Sequence, residues 1–149
     1  TFDVTVTVEQ SCTISVDALA FPNISVSTTN ETHLGQTTVH VTCTAETPFL
    51  VGFDYGSNEA MDGTGPARLA HETGTVAHPF LTYVLYENSG RTVPWTEDLD
   101  TGAFGGDGDG AEWTKTVYGK IDAGQLVSPG DYSDTVTASV WYGAEAITD

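Results

Sequence analysis

The sequence predicts an all-β sandwich of one domain, and three observations favour this fold class. Short segments in which apolar and polar residues alternate recur along the chain, and the β-branched residues Val and Thr dominate them. Clusters of Gly, Pro, Asn and Asp separate these segments, as turns would. No segment of helix length shows a 3.6-residue period, and a chain of 149 residues suffices for one domain with a core.

The first segment, TFDVTVTVEQSC, has the purest alternation in the chain. Its apolar positions are separated by single polar residues and predict a strand with one apolar face: Phe2, Val4, Val6 and Val8. Alternation alone leaves open whether this face packs on the same domain or on another molecule.

Further strands are predicted in order by CTISVDALAF, NISVS, TTVHVTCTAE and FLVGFDYG. Residues 57–78 read as a long loop with one short strand at 67–71. The segment PFLTYVLYEN is apolar on both faces, which is typical of a strand at the centre of a sheet. A second long loop, rich in Gly and Asp, follows it.

Two strands, WTKTVYGKID and YSDTVTASVWYG, are predicted to close the chain. The last places Val136, Ala138, Val140 and Tyr142 on one face, with Trp141 on the other. Only AEAITD follows, so a final strand of an immunoglobulin-type sandwich would be missing. A missing edge strand leaves an apolar groove and unpaired backbone groups, which can accept a strand from another chain.

The formal net charge of -17, from 21 acidic and 4 basic residues, argues against nucleic acid and anionic membranes as partners. No apolar segment is long enough to span a membrane, and no signal peptide begins the sequence, so we expect a mature, exported chain. Cys12 and Cys43 lie in no metal-binding or redox motif, which favours a disulfide over two free thiols.

No motif predicts a catalytic residue, a metal site or a cofactor. The four histidines are scattered, and only His40 lies clearly within a predicted strand. The segment DLDTGAFGGDGDGAE offers carboxylates to calcium but does not match the calcium-loop template, so a solvated loop is favoured. Trp95, Trp113 and Trp141 could form a sugar-stacking platform but are favoured as core and sheet-face residues, and Trp95, in a loop, is the best candidate among them for exposure. A secreted, monomeric carbohydrate-binding module is the alternative function.

Several segments together resemble the spore coat protein U domain family, which includes pilins of archaic chaperone-usher pili. They are TFDVTVTVEQSCTIS, HVTCT, Arg68-Leu69, LTYVLY with Trp95 after it, VYGKI and SPGDYSDTVTASVWY. The resemblance spans nearly the whole chain. It implies an incomplete immunoglobulin-like sandwich, a Greek key completed by the N-terminal donor strand of a neighbouring subunit.

The resemblance also implies roles for individual residues. Residues 1–10 would form the donor strand, with Phe2, Val4, Val6 and Val8 as its inserted side chains, and residues 11–149 the pilin domain. Val136, Val140 and Tyr142 would line the acceptor groove, and Cys12 would pair with Cys43. The implied partners are identical or homologous pilin subunits, a periplasmic chaperone and an outer-membrane usher. We therefore expect a non-enzymatic stalk subunit of an extracellular, cell-surface pilus that serves adhesion or biofilm formation.

Overall fold

Two antiparallel β-sheets form the fold in the computed structural model, which describes residues 1–25, 30–59, 66–100 and 102–143. Within these ranges the strands are β1 Cys12–Val16, β2 His33–Cys43, β3 Pro48–Phe53, β4 Ala67–His71, β5 Phe80–Tyr86, β6 Phe104–Asp107, β7 Glu112–Ile121, β8 Tyr132–Ser133 and β9 Ala138–Tyr142. The larger sheet has the order β1-β2-β7-β5-β4-β8, and the smaller has the order β6-β3-β9. The described part of the chain holds no helix that could cross a membrane.

The main core lies between the two sheets, because alternation along each strand directs every second side chain inward. On β2 the inward residues Val39 and Val41 are completely buried, and on β3 so are Phe49 and Val51. A second buried cluster lies where β4, β5 and β7 meet: Ala67, Leu81, Tyr83 and Ile121. The two clusters together confirm the predicted immunoglobulin-like β-sandwich.

The Cys12–Cys43 disulfide joins the start of β1 to the end of β2, as predicted. We call this end of the sandwich the disulfide end. A short turn at 44–47 leads from β2 into β3, so β3 also starts there, and β9, antiparallel to β3, finishes there. The start of β2 and the start of β9 therefore lie toward the opposite end, and β1 runs in that direction as far as Val16, which pairs with Val39 about half-way along β2.

All four basic side chains of the chain lie over aromatic rings. The distance from charged group to ring centroid is 4.1 Å for Arg68 on Phe80, 5.3 Å for Arg91 on Tyr118, 3.7 Å for Lys115 on Phe104 and 5.4 Å for Lys120 on Tyr86. Such cation–π contacts stabilise by about 0.5–2 kcal/mol each, depending on burial. The few cations of this acidic chain thus serve its packing.

Most predicted strands are confirmed, including β4 with its bounds and β5 between β7 and β4. The predicted strand at NISVS is wrong for Asn23–Ser25, which do not have strand conformation, and Val26 and Ser27 lie outside the described residues. The second long loop contains the unpredicted strand β6, whose glycines pack against β3: a Cβ on Gly105 would overlap the backbone of Phe49.

One further strand prediction is wrong, whereas the core position favoured for Trp95 is confirmed. The single strand predicted at 132–143 is two strands in different sheets, because β8 pairs with β4 and β9 pairs with β3. Trp95 is buried: only 2 % of its surface is accessible, and its Nε1 donates to the Val51 carbonyl at 2.7 Å. Its ring packs edge-on against Phe53.

Candidate functional site

The edge strand β1 has one free side. The Asp17 amide donates to the Thr38 carbonyl at 3.1 Å, and the Thr44 amide donates to the Ser11 carbonyl at 3.0 Å. These bonds show that the odd-numbered residues of β1 direct their backbone groups toward β2. The even-numbered residues, Cys12, Ile14 and Val16, therefore present their N–H and C=O groups to the opposite side, where no described strand pairs with them.

The edge strand β9 has the same arrangement on its own free side. The Gly143 amide donates to the Pro48 carbonyl at 3.0 Å, and the Asp54 amide donates to the Thr137 carbonyl at 3.1 Å. The odd-numbered residues of β9 thus point their backbone groups at β3. The backbone groups of Ala138, Val140 and Tyr142 face away from β3, and within the described ranges no strand occupies that side.

These two free edges lie next to each other, and the unpaired apolar strip between them is called the groove below. Cα atoms of β1 and β9 approach within 8 Å and no hydrogen bond joins the strands. A strand inserted between them needs about 9.6 Å, so the two flanks must move apart to admit it. Because β1 starts and β9 finishes at the disulfide end, the two strands run antiparallel. Gln10 lies against Gly143 at that end: a Cβ on Gly143 would stand 2.8 Å from the Gln10 Oε1.

The floor of the groove is apolar and half-buried. Five side chains from its two flanks pack against the main core: Cys12, Ile14, Val136, Ala138 and Val140. Two of the predicted acceptor residues, Val136 and Val140, are among them. The third, Tyr142, shares the parity of Val140 but is 39 % exposed, at the rim of the disulfide end. Ile14 and Ala138 were not predicted as acceptor residues, although the alternation along their strands places them on the same face.

The N-terminal segment 1–11, called the tail below, lies outside both sheets. Its four apolar side chains are almost fully exposed, at 87 % for Phe2, 85 % for Val4, 87 % for Val6 and 80 % for Val8. The segment contains no turn or bend and pairs with no described strand, so the strand predicted there has no partner in the single subunit. The tail does not occupy the groove of its own subunit in this structure.

The Asp134 carboxylate holds the chain in place where it enters β9. Its Oδ1 accepts hydrogen bonds from the Ser57 amide and hydroxyl, the Asn58 side chain and the Thr135 amide, all at 2.9–3.1 Å. Its Oδ2 accepts from the Tyr83 hydroxyl at 2.6 Å. Burial, and then this hydrogen bond to a carboxylate, raise the pKa of Tyr83 far above its ordinary value. The network fixes the crossing from β8 to β9, next to Val136.

The SPGDYSD segment also packs on His71. The Tyr132 ring stands edge-on to the His71 ring, and a Cβ on Gly130 would overlap the His71 Nε2. His71 is buried and its two ring nitrogens meet the Pro129 carbonyl and the Thr73 hydroxyl. The hydrogen bonds of His71 therefore serve the fold. His33, at the start of β2, is buried too, so the expectation that only His40 lies within a strand is wrong.

The structure gives little support to the metal and sugar sites that were considered from the sequence. Among the described residues, no group of three or more His, Cys, Asp or Glu side chains could hold a metal ion. In the Asp- and Gly-rich segment the Asp98 and Asp109 carboxylates accept from the backbone amides two residues on, as in local turns. Trp113 and Trp141 are half-buried, and Trp95 is buried, so the proposed sugar-stacking ring is not on the surface.

Known proteins resemble this chain in sequence and in fold. The chain resembles Protein U of Myxococcus xanthus, with 28 % identity over 108 residues, and the match covers 72 % of this chain and 60 % of that protein. The chain therefore spans less than two thirds of that relative.

Among solved structures, it resembles the CsuC-CsuE chaperone-tip adhesion subunit pre-assembly complex from archaic chaperone-usher Csu pili of Acinetobacter baumannii. That match has a TM-score of 0.62 and 20 % identity, and it covers 90 % of this chain and 40 % of the other. The minor tip subunit HdaB of the E. coli Hda pilus matches with a TM-score of 0.45 and 17 % identity, over 88 % and 81 % of the two chains.

The first of these solved structures supports the sandwich fold. The family comparison goes further, because the Spore Coat Protein U domain matches residues 1–139 of the chain. The protein therefore belongs to the spore coat protein U domain family.

Proposed function

We propose that this protein is a non-enzymatic pilin that polymerises by donor-strand exchange into a chaperone-usher pilus. Residues 1–10 of one copy act as the donor strand, and the domain 11–149 of the next copy accepts it. The single observation that carries the proposal is the complementarity within one chain: two unpaired strand edges, β1 and β9, that flank an apolar strip, and an exposed tail with an alternating apolar face. The solved relative in complex with its chaperone supports the same role.

An inserted tail would satisfy the free backbone groups on both sides of the groove. Because β1 and β9 are antiparallel to each other, the tail runs antiparallel to one flank and parallel to the other. Its even-numbered side chains then face the core, as those of Ile14 and Val140 do. The backbone N–H and C=O groups of its even-numbered residues bond to one flank, and those of its odd-numbered residues bond to the other flank. The tail sequence, with apolar residues at even positions, matches this requirement.

The direction of the inserted tail decides what is assembled. A tail parallel to β1 brings its residue 8 toward Val16, so the donor body lies at the end of the acceptor opposite the disulfide. Each added copy then leaves its own groove open, and an open fibre grows. A tail antiparallel to β1 brings both bodies to their disulfide ends, where reciprocal exchange would close a two-fold dimer. We propose the first direction, because it leaves each subunit able to continue the fibre.

Burial of the four exposed tail side chains supplies the driving force. At roughly 1.5–3 kcal/mol for each large apolar side chain, the four contribute on the order of 6–12 kcal/mol before the cost of ordering the tail. Hydrogen bonds to both flanks add about 1 kcal/mol net apiece. Separation of two subunits would expose the groove and the tail together, so we expect a long-lived junction.

During export, a periplasmic chaperone would occupy the groove and an outer-membrane usher would exchange it for the tail of the next subunit. The assembled fibre would lie on the cell surface and serve adhesion or biofilm formation as a stalk of repeated copies. A chaperone in this role supplies a strand to the same free edges, which otherwise favour aggregation.

The test is binding of a synthetic FDVTVTVE peptide to protein that lacks residues 1–9. We expect specific binding by calorimetry, no binding by a control peptide in which Val6 is replaced by Asp, and fibres from the full chain by electron microscopy. A stable, monomeric full chain that neither binds the peptide nor forms fibres would refute the proposal. Cross-linking reports direction: Thr13→Cys in the acceptor should pair with Thr5→Cys in the donor for a fibre, and with Thr7→Cys for a closed dimer.

A further inference from the structure

The outer face of the larger sheet carries a patch with exposed apolar residues and cations, at the end opposite the disulfide. Register places Leu34, Lys120 and Val84 side by side on three neighbouring strands. Leu34 is 49 % exposed, and Val93, in the loop that follows β5, is 40 % exposed. We call this set, together with Tyr118 and Arg91, the cationic patch.

Arg91 gives the patch an uncompensated positive charge. Its guanidinium lies on the Tyr118 ring and donates to the Gly119 and Gly35 carbonyls at 3.0 and 3.2 Å. Within the part of the chain that the structure describes, no carboxylate forms an ion pair with it. Lys120 has one exposed partner, Asp122, at 3.5 Å. On a chain with a net charge of -17, such a surface is unusual.

The disulfide end has the opposite character. Four exposed carboxylates lie around it, on the turn after β2, on β6 and at the start of β7: Glu46, Asp107, Asp109 and Glu112. The segments are held together by backbone hydrogen bonds from Glu46 to Gly108 at 2.8 Å and from Gly108 to Thr47 at 2.8 Å. The disulfide end is thus acidic, whereas Arg91 of the cationic patch has no carboxylate paired with it among the described residues.

We propose that the cationic patch binds the acidic disulfide end of the neighbouring copy, as a second contact beside the inserted tail. This inference rests on the proposed function, because a tail parallel to β1 places the donor's disulfide end at the acceptor's opposite end. Only residues 9–11 separate the last inserted side chain, Val8, from Cys12 of the donor, a span of at most about 14 Å. The two charged surfaces are therefore brought together, and their attraction limits bending between subunits.

The experiment compares two variants of the full chain that differ only in the sign of a new charge, Leu34→Glu and Leu34→Lys. Both remove the same exposed apolar side chain, so loss of apolar contact affects them equally. Their fibres are measured for bending persistence length by electron microscopy. At low salt we expect Leu34→Glu to shorten the persistence length about threefold and Leu34→Lys to preserve or lengthen it. In 1 M NaCl, where the screening length is about 3 Å, the variants should converge.

Thermal unfolding of unpolymerised subunits checks that both variants fold like the wild type. Equal persistence lengths in all three proteins at low salt would overturn the contact while leaving donor-strand exchange intact. Equal shortening by Glu and Lys would also overturn it, since charge would then play no part. Absence of wild-type fibres and of tail-peptide binding would instead refute the proposed function, and this contact with it.

Discussion

The tail and strand β2 have nearly the same sequence pattern but opposite environments. In both, Val alternates with Thr and other polar residues, over FDVTVTVE in one and TTVHVTC in the other. Val39 and Val41 are completely buried between the sheets, whereas Val4 and Val6 are more than four fifths exposed. The comparison shows that alternation specifies an apolar face and leaves the location of its partner to the rest of the structure.

The largest expected effects come from replacing a valine by aspartate, once in β2 and once in the tail. Val41→Asp buries an unpaired charge and should prevent folding, because the cost is several kcal/mol of a total stability of about 5–15 kcal/mol. Val6→Asp should leave subunit stability unchanged, since Val6 is exposed, but should abolish fibres. Denaturant unfolding measures the stability of each variant, and electron microscopy shows whether it forms fibres. Normal fibres from Val6→Asp would show that the inserted face is not the one proposed.

Loss of the disulfide should weaken the subunit next to the tail. It joins residues 31 apart, and removing a cross-link of that length costs about 3–4 kcal/mol on the chain-entropy account. The double variant Cys12→Ser with Cys43→Ser should therefore unfold at lower denaturant, and its groove should bind the tail peptide more weakly because β1 is less firmly held. The wild type under reducing conditions is the matched control. Unchanged stability of the double variant would show that the disulfide does not stabilise the subunit.

A bulky side chain placed in the groove should weaken binding of the tail without preventing the subunit from folding. Ala138→Phe places a ring on the groove floor, where an inserted tail side chain would lie, and should lower tail-peptide affinity at least about tenfold with little change in stability. Thr137→Phe is the control, because the Thr137 side chain is exposed on the other face of the same segment. Calorimetry with the peptide measures both. Equal effects of the two variants would place the tail elsewhere.

The smallest effect concerns pH. His40 on β2 lies 3.1 Å from the Asp17 carboxylate, just after β1, and 3.1 Å from the Glu112 carboxylate at the start of β7. Hydrogen bonds to Asp17, and then to Glu112, raise the pKa of His40 above its ordinary value of 6.5.

A raised pKa in the folded state means that this stabilisation is fully present below pH 6.5 and is lost as the pH rises through the raised pKa. His40→Gln should therefore lower stability slightly at pH 5.5 and not at pH 9, measured by denaturant unfolding. The tail has no histidine, so intrinsic peptide binding should not follow this titration. A difference from wild type that is constant over this range would exclude the ionic link.

Much of the fold could be predicted because local pattern and tertiary environment agree. The bounds of β4, the central position of β5 and the Cys12–Cys43 bond were all predictable in this way. The partner of the Trp95 indole N–H could not be predicted, because the Val51 carbonyl that accepts from it is far away in sequence. The continuous alternation at 132–143 hides a crossing between sheets, which the Asp134 network imposes. β6 was not predicted because its glycines have no side chains and therefore show no alternation of apolar and polar residues.

The candidate site was predictable on one flank only. The pattern of the last segment placed Val136 and Val140 on one face, and the family resemblance implied that they line an acceptor groove. The β1 flank, with Cys12 and Ile14, required knowledge of which sheet edges remain free. That knowledge comes from the strand order, which spacing along the chain does not contain.

The packing of every Lys and Arg over an aromatic ring has a consequence for proteolysis. Trypsin cleaves only after these residues, so the folded subunit offers it four sites, each with its side chain held against a ring. The tail contains neither residue type, and trypsin cannot cut it although it is exposed. A protease that cleaves after aromatic or aliphatic residues can reach Phe2 in a free tail. Protection from such a protease, and not from trypsin, therefore reports whether the tail is inserted.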